Sequence, residues 1–332
     1  MNTLPATVPI SLVNGVLVRA DPAAVQRLAG QAGIPHELLS ESGSRVTQEQ
    51  FSTLYRMLAQ ELDDEMPGIF NRPLRNGTLK YLCLSLLDAP RLEVAMHRFG
   101  QFMHLIVDEF RVESRRDGAI CRVELVPNPN GPVLGVLGRE LMLKLAHGVA
   151  SWLVGQKIPL SEVEFNFPRP LRASDYLYLF PGPVHFGRER NCMSFDAAYL
   201  NMSIRQHRAD LKRFLARAPE DWIFVSLAEQ MVCHRVRQYL AERLPANPTI
   251  EIVAQDLHFS VRTLCRRLSA EGTAFQAIKD ELRRDLAIQR LTRTSDAIGT
   301  IAFDVGFDDP TAFHRAFRHW TGSTPQVYRK TA

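Results

Sequence analysis

Cysteine is scarce in this sequence, and the few cysteines are scattered along the chain. The five cysteines are Cys83, Cys121, Cys192, Cys233 and Cys265. A Cys-x-x-Cys metal or redox motif is therefore absent, and the odd, dispersed set argues against a framework of disulfides. This usage predicts reduced thiols and a cytoplasmic location.

Long hydrophobic runs are lacking as well. The most apolar stretch, residues 132–155, is interrupted by Arg139, Glu140, Lys144 and His147. It therefore predicts a core helix and no membrane span. The N-terminus has no basic segment followed by an apolar run, so we expect no secretory signal.

The sequence also lacks the motifs of common enzymes. Gly131, Gly135 and Gly138 fit neither a dinucleotide fingerprint nor a P-loop, and their spacing favours close packing instead. There is no nucleophile elbow and no plausible Ser/His/Asp set. We expect no enzymatic activity and no cofactor.

A metal site would begin at His104 and Asp108, which lie four residues apart on a predicted helix with Glu109 adjacent. No third ligand has a suitable spacing. We interpret these residues as the polar face of an amphipathic helix and predict no metal.

What the chain does contain is an uneven distribution of charge. Its 332 residues are enough for two domains, and the apolar fraction of 45% is typical of a globular protein. Residues 205–332 carry 20 Lys and Arg against 15 Asp and Glu, whereas the residues before them are nearly balanced, at 20 against 21. The positive excess lies where a polyanion could use it.

The first part of the chain has a mixed pattern that predicts an α+β domain. Apolar residues recur at helical spacing over Gln48–Leu62 and Leu92–Val107, and a further helix is expected at about 133–154. Residues Phe110–Val126 alternate around Asp117-Gly118, which favours a tight hairpin turn. Further strands are predicted at Val163–Phe167 and in a hairpin formed by Val184–Phe186 and Met193–Phe195.

The last part is helical almost throughout and predicts an all-α domain. An amphipathic helix covers 226–243, and Thr249 is placed to cap the next helix. Thr273 and Gln276 have the spacing of a capping box. Asp309-Pro310 predicts a helix start, and Gly322 predicts a helix end.

Two segments of this helical part repeat one another. Residues 252–268 align with 301–317 after one extra residue in the second turn. In each copy a small residue, Ala254 or Ala302, permits close helix approach, and a short turn capped by Ser260 or Asp309 follows. The repeat predicts two helix-turn-helix units.

The second helix of each unit has a buried stripe and a basic outer face. The buried pairs are Leu264 with Leu268 and Phe313 with Phe317, each at i,i+4 spacing. The residues predicted to bind DNA are Arg262, Thr263, Arg266, Arg267, Pro310, Thr311, His314, Arg315 and Arg318. A helix offering arginines without acidic neighbours suits the major groove, where arginine can pair bidentately with guanine. The alternative, a merely solvated arginine face, is disfavoured by the duplication.

Residues of about 225–330 resemble the DNA-binding domain of the AraC/XylS family. The resemblance rests on the run from Arg262 to Gln276 and on the run from Ile301 to Gly322, closed by Pro325 and Tyr328. It implies two helix-turn-helix units joined by a linker helix.

The resemblance also assigns roles to particular positions. It implies that Arg262 and Arg266 read bases in the first unit and that Pro310, Thr311 and Arg315 do so in the second. Proline at 310 cannot donate a hydrogen bond, so we expect the second unit to read less sequence.

A second departure from the family lies in the turn of the first unit. The family usually has glycine there, whereas this chain has His258. Arg267 and Arg318 are expected to contact phosphate, which positions a protein without specifying sequence.

The N-terminal half resembles the arabinose-binding-type effector and dimerisation domain that accompanies this branch. The resemblance rests on Ala32–Ile34, Leu86–Pro90, Phe165–Pro168 and Tyr178–Asp196. It implies a cytoplasmic activator, a small-molecule effector, a homodimer and contact with RNA polymerase. The predicted division is 1–205 for this domain, 206–225 for a connector and 226–332 for the DNA-binding domain.

The residues that would hold the effector are not identifiable from the sequence. His185, Arg188 and Arg190 would suit an acidic effector, but covering a solvent-exposed sheet edge is the favoured interpretation. Three alternative functions stay open: a repressor that needs no ligand, an enzyme domain fused to a DNA-binding module, and a protein-interaction module on a DNA-bound platform.

Overall fold

The computed structural model describes residues 6–170, 173–180, 182–224 and 231–329. The helices are α1 (Ile10–Leu17), α2 (Pro22–Gln31), α3 (His36–Ser40), α4 (Gln48–Leu62), α5 (Thr78–Leu86), α6 (Leu92–Ile106), α7 (Val136–Leu153), α8 (Tyr176–Leu179), α9 (Arg208–Ala216), α10 (Glu220–Ile223), α11 (Val232–Glu242), α12 (Ile250–Asp256), α13 (Val261–Ala270), α14 (Phe275–Arg293), α15 (Ile298–Asp304), α16 (Pro310–Thr321) and α17 (Pro325–Arg329). The strands are β1 (Thr7–Pro9), β2 (Arg45–Thr47), β3 (Phe110–Asp117), β4 (Ile120–Pro127), β5 (Glu162–Glu164), β6 (Val184–His185) and β7 (Cys192–Asp196).

The chain divides into two compact units that are not continuous in sequence. The described residues of the first unit are 6–14, 21–54 and 231–329, so it combines segments that are far apart in sequence. The second unit contains 15–20 and the described residues of 55–224. An α+β part and an all-α C-terminal part are both present, as the sequence predicts.

The second unit is built on a five-stranded sheet with the order β3-β4-β7-β5-β6. The β3–β4 hairpin closes with Asp117 opposite Ile120, and Gly118 has the left-handed φ of 57° that such a tight turn requires. Helix α6 lies close against β3 because Gly100 has no side chain. A Cβ there would come within 2.4 Å of the Val112 carbonyl oxygen.

Helix α7 is the core helix of this unit. Nearly all of its side chains from Gly138 to Leu153 are buried, including those of Glu140, Lys144 and His147. No helix among the described residues is both long and apolar enough to cross a membrane.

The predicted hairpin between 184 and 195 is wrong. Strand β6 pairs in parallel with β5, and β7 pairs antiparallel with β4 and β5. The chain after β6 keeps following the β5 segment, because Gly187 N–H donates to the Phe167 carbonyl and Arg188 N–H to the Phe165 carbonyl. Gly187, with φ of 66°, then turns the chain toward β7.

The predicted capping box at Thr273 and Gln276 is also wrong. Helix α14 has Ala274 at its N-cap, and Thr273 is used to close α13 instead. Its N–H donates to the Leu268 carbonyl after Gly272 has turned with φ of 79°. The hydroxyl of Thr273 is left buried without a hydrogen bond, and Gln276 bonds Asp280.

Two further predictions need adjustment at helix starts. The helix predicted over 226–243 is described as α11, Val232–Glu242, and residues 225–230 lie outside the described part of the chain. Thr249 takes the N-cap position of α12, but its side chain makes no capping hydrogen bond.

A small sheet in the first unit has no counterpart among the predicted elements. Strands β1 and β2 pair antiparallel, with Thr7 opposite Thr47. With three residues each, they are too short for a visible alternation of polar and apolar residues.

Candidate nucleic-acid interface

The first helix-turn-helix unit consists of α12 and α13. Ala254 is buried, so the small side chain lets the two helices approach closely, and Leu264 and Leu268 form the inner stripe of α13. The Ser260 hydroxyl accepts a hydrogen bond from the Thr263 N–H at 3.2 Å and caps α13. The predicted cap and buried stripe are confirmed.

The second helix-turn-helix unit consists of α15 and α16 and repeats the design of the first. Ala302, Phe313 and Phe317 are fully buried, and the Asp309 carboxylate accepts hydrogen bonds from the backbone at the start of α16. Gly322 ends the helix with φ of 73°. The predicted Asp309-Pro310 start and Gly322 end are both confirmed.

The turn between the two helices requires a left-handed residue in both units. Gly306 supplies it in the second unit with φ of 84°, and His258 adopts it in the first with φ of 62°. A residue with a side chain pays a steric cost in this conformation, which explains why glycine is the usual choice. The backbone at His258 is therefore strained, and the packing of the rest of the unit holds it in this conformation.

Each helix-turn-helix unit has an aspartate at the end of its first helix. This aspartate binds the helix that precedes the unit, which is α11 for the first unit and the linker helix α14 for the second. Asp256 accepts a hydrogen bond from the Tyr239 hydroxyl of α11 and lies 3.7 Å from the Arg243 guanidinium. Its repeat counterpart Asp304 pairs with Arg290 of α14. The matched aspartates therefore orient the two units by equivalent contacts.

The outer faces of α13 and α16 present basic side chains to solvent. The predicted residues that are exposed are Arg262, Arg266, Arg267, Pro310, Thr311, Arg315 and Arg318, while Thr263 and His314 are half-buried. Within the described residues, none of these arginines forms a salt bridge. The guanidinium of Arg267 lies 4.8 Å from the centre of the Phe259 ring, which holds it beside the turn.

Helix α14 joins the two helix-turn-helix units, and a buried charge fixes its position. Asp285 is 1% exposed, and its carboxylate receives the Arg237 guanidinium at 2.8 Å and the Arg284 guanidinium at 3.0 Å. Thr7 of β1 donates its hydroxyl to the same carboxylate. Burial by itself raises the pKa of Asp285, but the surrounding positive charges and the Thr7 bond outweigh it and lower the pKa to about 2.

The N-terminal strands complete this anchorage. The Arg45 guanidinium donates to the Thr7 hydroxyl at 2.6 Å and to its carbonyl at 2.8 Å, while the Arg45 N–H donates to the Tyr328 hydroxyl at 3.1 Å. Gly43 lies against the end of α16, where a Cβ would meet the Thr321 backbone at 2.7 Å. Residues from the beginning of the chain are thus part of the packing that holds α14, α16 and α17.

Sequence reasoning missed Asp285, Arg237 and Arg45. One signal was available, since Asp285 lies seven residues after Ile278 and therefore on the apolar face of α14. A charge at such a position predicts a buried partner. Its partners come from distant parts of the chain, so only the structure identifies them.

The other candidate groups have structural contacts. Asp108 pairs with Arg72, and the Glu109 carboxylate accepts the Asn71 N–H at 2.7 Å. Among the described residues, no cluster of three His, Cys, Asp or Glu side chains could hold a metal ion.

The three basic residues near β6 lie at different places on the sheet. His185 belongs to β6, the last strand in the sheet order, and Arg188 is exposed. Arg190 lies 3.6 Å from the Glu124 carboxylate. The edge interpretation therefore fits His185, whereas Arg190 lies beside the inner strand β4.

Two family models match the chain and together span most of it. Residues 23–204 match the arabinose-binding domain of AraC transcription regulators, and residues 253–331 match a helix-turn-helix domain. The chain belongs to the AraC family of transcription regulators. The resemblance found in the sequence is therefore confirmed, and the relatives are regulators and not enzymes.

Individual relatives agree with the family models. The ornithine utilization regulator of Pseudomonas aeruginosa is 30% identical over 69% of this chain and 65% of its own length. The regulator VqsM of the same species is 26% identical over 54% of this chain and 55% of its own. The alignments thus span about half to two thirds of these AraC-family relatives.

A solved structure covers nearly the whole chain. It is the crystal structure of the transcriptional regulator CdpR from Pseudomonas aeruginosa, which is 22% identical and aligns over 96% of this chain and 97% of its own, with a TM-score of 0.31.

Proposed function

We propose that this AraC-family chain is a sequence-specific transcription factor that binds double-stranded promoter DNA through α13 and α16. The observation that carries the proposal is a structural duplication. Two units of the same design, with matched caps, cores and anchoring aspartates, each present exposed arginines that form no salt bridge within the described residues. We propose that the two helices enter successive major grooves, ~34 Å apart along one face of the duplex.

Within this interface the side chains divide into two roles. Arg262 and Arg266 read bases in the first unit, and Arg315 with Thr311 does so in the second, where Pro310 packs against sugar or a thymine methyl. Arg267 and Arg318 contact phosphate. The helix-turn-helix match over 253–331 and the exposure of these side chains support this assignment.

The test begins with a DNA site selected by the full-length protein from a random duplex library. Arg262→Ala should weaken binding to this site by ~1–3 kcal/mol and relax selection at one base, because one bidentate contact is lost. Arg188→Ala removes the same charge from an exposed position outside the helix-turn-helix units and serves as the control. An Arg262→Ala protein with the parent's footprint and affinity would show that α13 is misassigned as a reading helix.

The N-terminal domain supplies regulation in this proposal. We propose that residues 1–205 bind a small-molecule effector and form a homodimer, that 206–225 connect, and that 226–332 bind DNA. The chain then acts in the cytoplasm as an activator that contacts RNA polymerase. The arabinose-binding-domain match over 23–204 supports the effector role.

Two measurements examine these roles. Sedimentation of the full-length protein, with and without its selected DNA site, should show a dimer. A reporter carrying the selected site should be activated by the full-length protein, and this activation should be lost in Arg262→Ala and kept in Arg188→Ala. Repression of the reporter without any dependence on small molecules would favour the ligand-independent repressor.

A further inference from the structure

One cavity in the unit that contains the five-stranded sheet is used by no part of the proposed DNA interface. It encloses about 320 Å³, which falls within the range of small-molecule sites. Helices α4, α5, α6, α7, α9 and α10 all contribute side chains to its walls. A molecule that fills this space would therefore touch most of the helices of the unit.

The deep wall of the cavity is apolar and shielded from solvent. Met66, Leu82, Met103, Leu145 and Trp222 each leave at most 5% of their surface exposed. A ligand that reaches this wall must bring an apolar body, since a polar group there would lose its hydration without gaining a partner.

The indole of Trp222 is held in place from two sides. Gly148 of α7 lies so close to it that a Cβ on this glycine would come within 2.5 Å of the Trp222 Cβ. The ring of Tyr55 contacts the indole edge-on, with centroids 6.3 Å apart. Trp222 is therefore a preformed surface, and a ligand that packs on it does not have to order this side chain first.

Most of the polar side chains along the cavity already have partners within the protein. The Thr78 hydroxyl donates to the Arg75 carbonyl at 2.7 Å, and the Asn76 amide donates to the Ala59 carbonyl at 3.4 Å. Arg56 also interacts with another group of the chain. These side chains are thus engaged in the fold and are not reserved for a charge on a ligand.

The carboxylate of Glu65 is likewise engaged, at the start of α5. It accepts the Gly77 N–H at 2.8 Å and the Leu79 N–H at 2.6 Å. Burial nevertheless raises the pKa of the Glu65 carboxyl, against the effect of these two hydrogen bonds. A carboxylate is therefore disfavoured at this wall even with two donors, and a ligand carboxylate would have neither of them.

The remaining charge at the mouth gives little selection for an anion. Lys80 is exposed, and its ammonium lies 5.6 Å from the centre of the Tyr81 ring. Solvent screens an exposed cation, so it adds little to the affinity for a negative group. A cationic ligand would meet like charge there, from Lys80 and Arg56.

We infer that this cavity is the effector site and that it takes a small uncharged molecule with an apolar body, such as an aryl or alkyl alcohol. The inference rests on the proposed effector response and adds the place and the chemical class. The apolar body lies on Met66, Met103 and Trp222. The neutral polar end stays at the mouth beside Gln60, whose exposed amide can both donate and accept a hydrogen bond.

The experiment compares three probes with the same carbon skeleton on the full-length protein at neutral pH: 4-phenylbutan-1-ol, 4-phenylbutyrate and 4-phenylbutan-1-amine. Binding is followed by NMR of ¹³C-methyl methionine, in which the Met66 and Met103 signals report the cavity and Met193 of β7 reports the sheet. We expect the alcohol to shift Met66 and Met103 but not Met193. It should bind at least about tenfold more tightly than either ion, because each ion must give up its hydration without a partner.

A cavity-filling variant tests the place of binding. Ala218→Phe adds a ring to the wall of the cavity and should weaken binding of the alcohol by at least about tenfold. Ala216→Phe adds the same ring at an exposed position of α9 outside the lining, and should leave the affinity unchanged. Lys80→Gln removes the exposed charge and should alter neither the affinity for the alcohol nor the order of the three probes.

Three results would overturn the inference. They are binding of the carboxylate or the amine as tight as that of the alcohol, no shift of Met66 and Met103 by any probe at millimolar concentration, and parental affinity for the alcohol in Ala218→Phe with an unchanged Met193 signal. The order of the three probes decides the chemical class even where Ala218→Phe does not fold. DNA affinity without probe is measured in parallel by fluorescence anisotropy, so failure of the cavity assignment is distinguished from failure of DNA binding.

Discussion

At the scale of single residues, the turns of the two helix-turn-helix units share a left-handed torsion but differ in the residue that adopts it, Gly306 in one and His258 in the other. Gly306 occupies the left-handed region with φ of 84°, and an added Cβ would also meet the Pro245 carbonyl oxygen at 3.0 Å. We predict that Gly306→Ala lowers the free energy of unfolding by about 1–2 kcal/mol. Gly299→Ala is the matched control, because that Cβ meets only the Pro310 side chain at 3.9 Å. Urea titration compares the two.

Replacing His258 by glycine is the reverse of the Gly306→Ala change. Its φ of 62° carries the steric cost of a left-handed residue, so His258→Gly should not destabilise the protein and should gain up to about 1 kcal/mol. A clear loss of stability would show that the imidazole has a packing role that outweighs its backbone strain. The same urea titration measures it.

The buried ionisable groups of α7 predict an unusual pH dependence. Burial lowers the pKa of Lys144 to about 7, with the charge of Lys157 contributing. Between that value and the ordinary lysine pKa the unfolded chain binds a proton that the folded chain does not, so stability rises with pH across this window. Lys144→Met should therefore stabilise the compact unit that contains the five-stranded sheet. The gain should be greatest at neutral pH, on the order of 3 kcal/mol, and should decrease progressively toward pH ~10.

Glu140 acts in the opposite direction at lower pH. Burial raises the pKa of its carboxyl to about 7, although the Tyr176 hydrogen bond opposes the shift. Here the folded chain holds the extra proton, so stability falls as pH rises from the ordinary glutamate pKa to about 7. Denaturation of Glu140→Gln across pH should lack this fall.

At the scale of elements, α14 depends on a buried ionic cluster supplied by the N-terminal strands. Arg45→Met removes the group that orients Thr7 toward Asp285, and should destabilise the DNA-binding unit by about 3 kcal/mol. Arg293→Met breaks a neighbouring but exposed pair, in which Arg293 and Glu49 lie 2.7 Å apart, and should cost less than about 1 kcal/mol. Comparable losses in thermal denaturation would contradict the role assigned to the cluster.

Low pH should disrupt the ionic cluster around Asp285. The pKa of Asp285 lies at about 2, below its unfolded value, so its stabilising contribution is complete above pH ~4 and is lost as pH falls toward 2.

An arginine that contacts phosphate and an arginine that reads a base are expected to differ in their effects on binding. Arg318→Ala should weaken binding to all duplexes alike and reduce the slope of log affinity against log salt by about one, because one phosphate contact is lost. Its effect on the selected base preferences should be negligible, in contrast to Arg262→Ala. A changed base preference would reassign Arg318 to base reading.

At the scale of the whole molecule, the DNA-binding unit does not end at the predicted connector. A fragment of residues 226–332 lacks Thr7 and Arg45, and it leaves Asp285 with fewer of its partners. We predict a lower melting temperature and faster hydrogen exchange in α14 for this fragment than in the full chain. Asp285→Leu with Arg237→Met should recover part of the loss in the fragment, since an apolar pair needs no N-terminal partner.

How far the sequence predicted the molecule depended on the range of the interactions. Helix α4, the β3–β4 hairpin and the Asp309 cap were predicted correctly, because each is encoded by residues a few positions apart. The β6 pairing was not, since backbone bonds from Gly187 and Arg188 to the β5 segment decide it and side-chain alternation does not. Thr273 was misread because the closure of α13 competes for the same residue.

The candidate site was predictable for the same reason and to the same extent. Cap, core and basic face recur within each unit, so the exposed positions of Arg262 and Arg315 follow from the spacing of the repeat. Their contacts with DNA, which the family resemblance implies, stay a prediction. The Asp285 cluster joins β1, β2, α11 and α14. Such long-range groupings leave no local pattern to read.

The partnership of Thr7 with Asp285 has a consequence for how the protein is made. These residues are 278 positions apart, and Arg45 and Tyr328 are 283 apart, so the ribosome delivers one half of each contact long before the other. The DNA-binding unit can therefore be completed only after Tyr328 has been translated. Prematurely terminated products, lacking Tyr328 and the end of α16, would emerge without a competent grip and would not compete with the intact regulator for its operators.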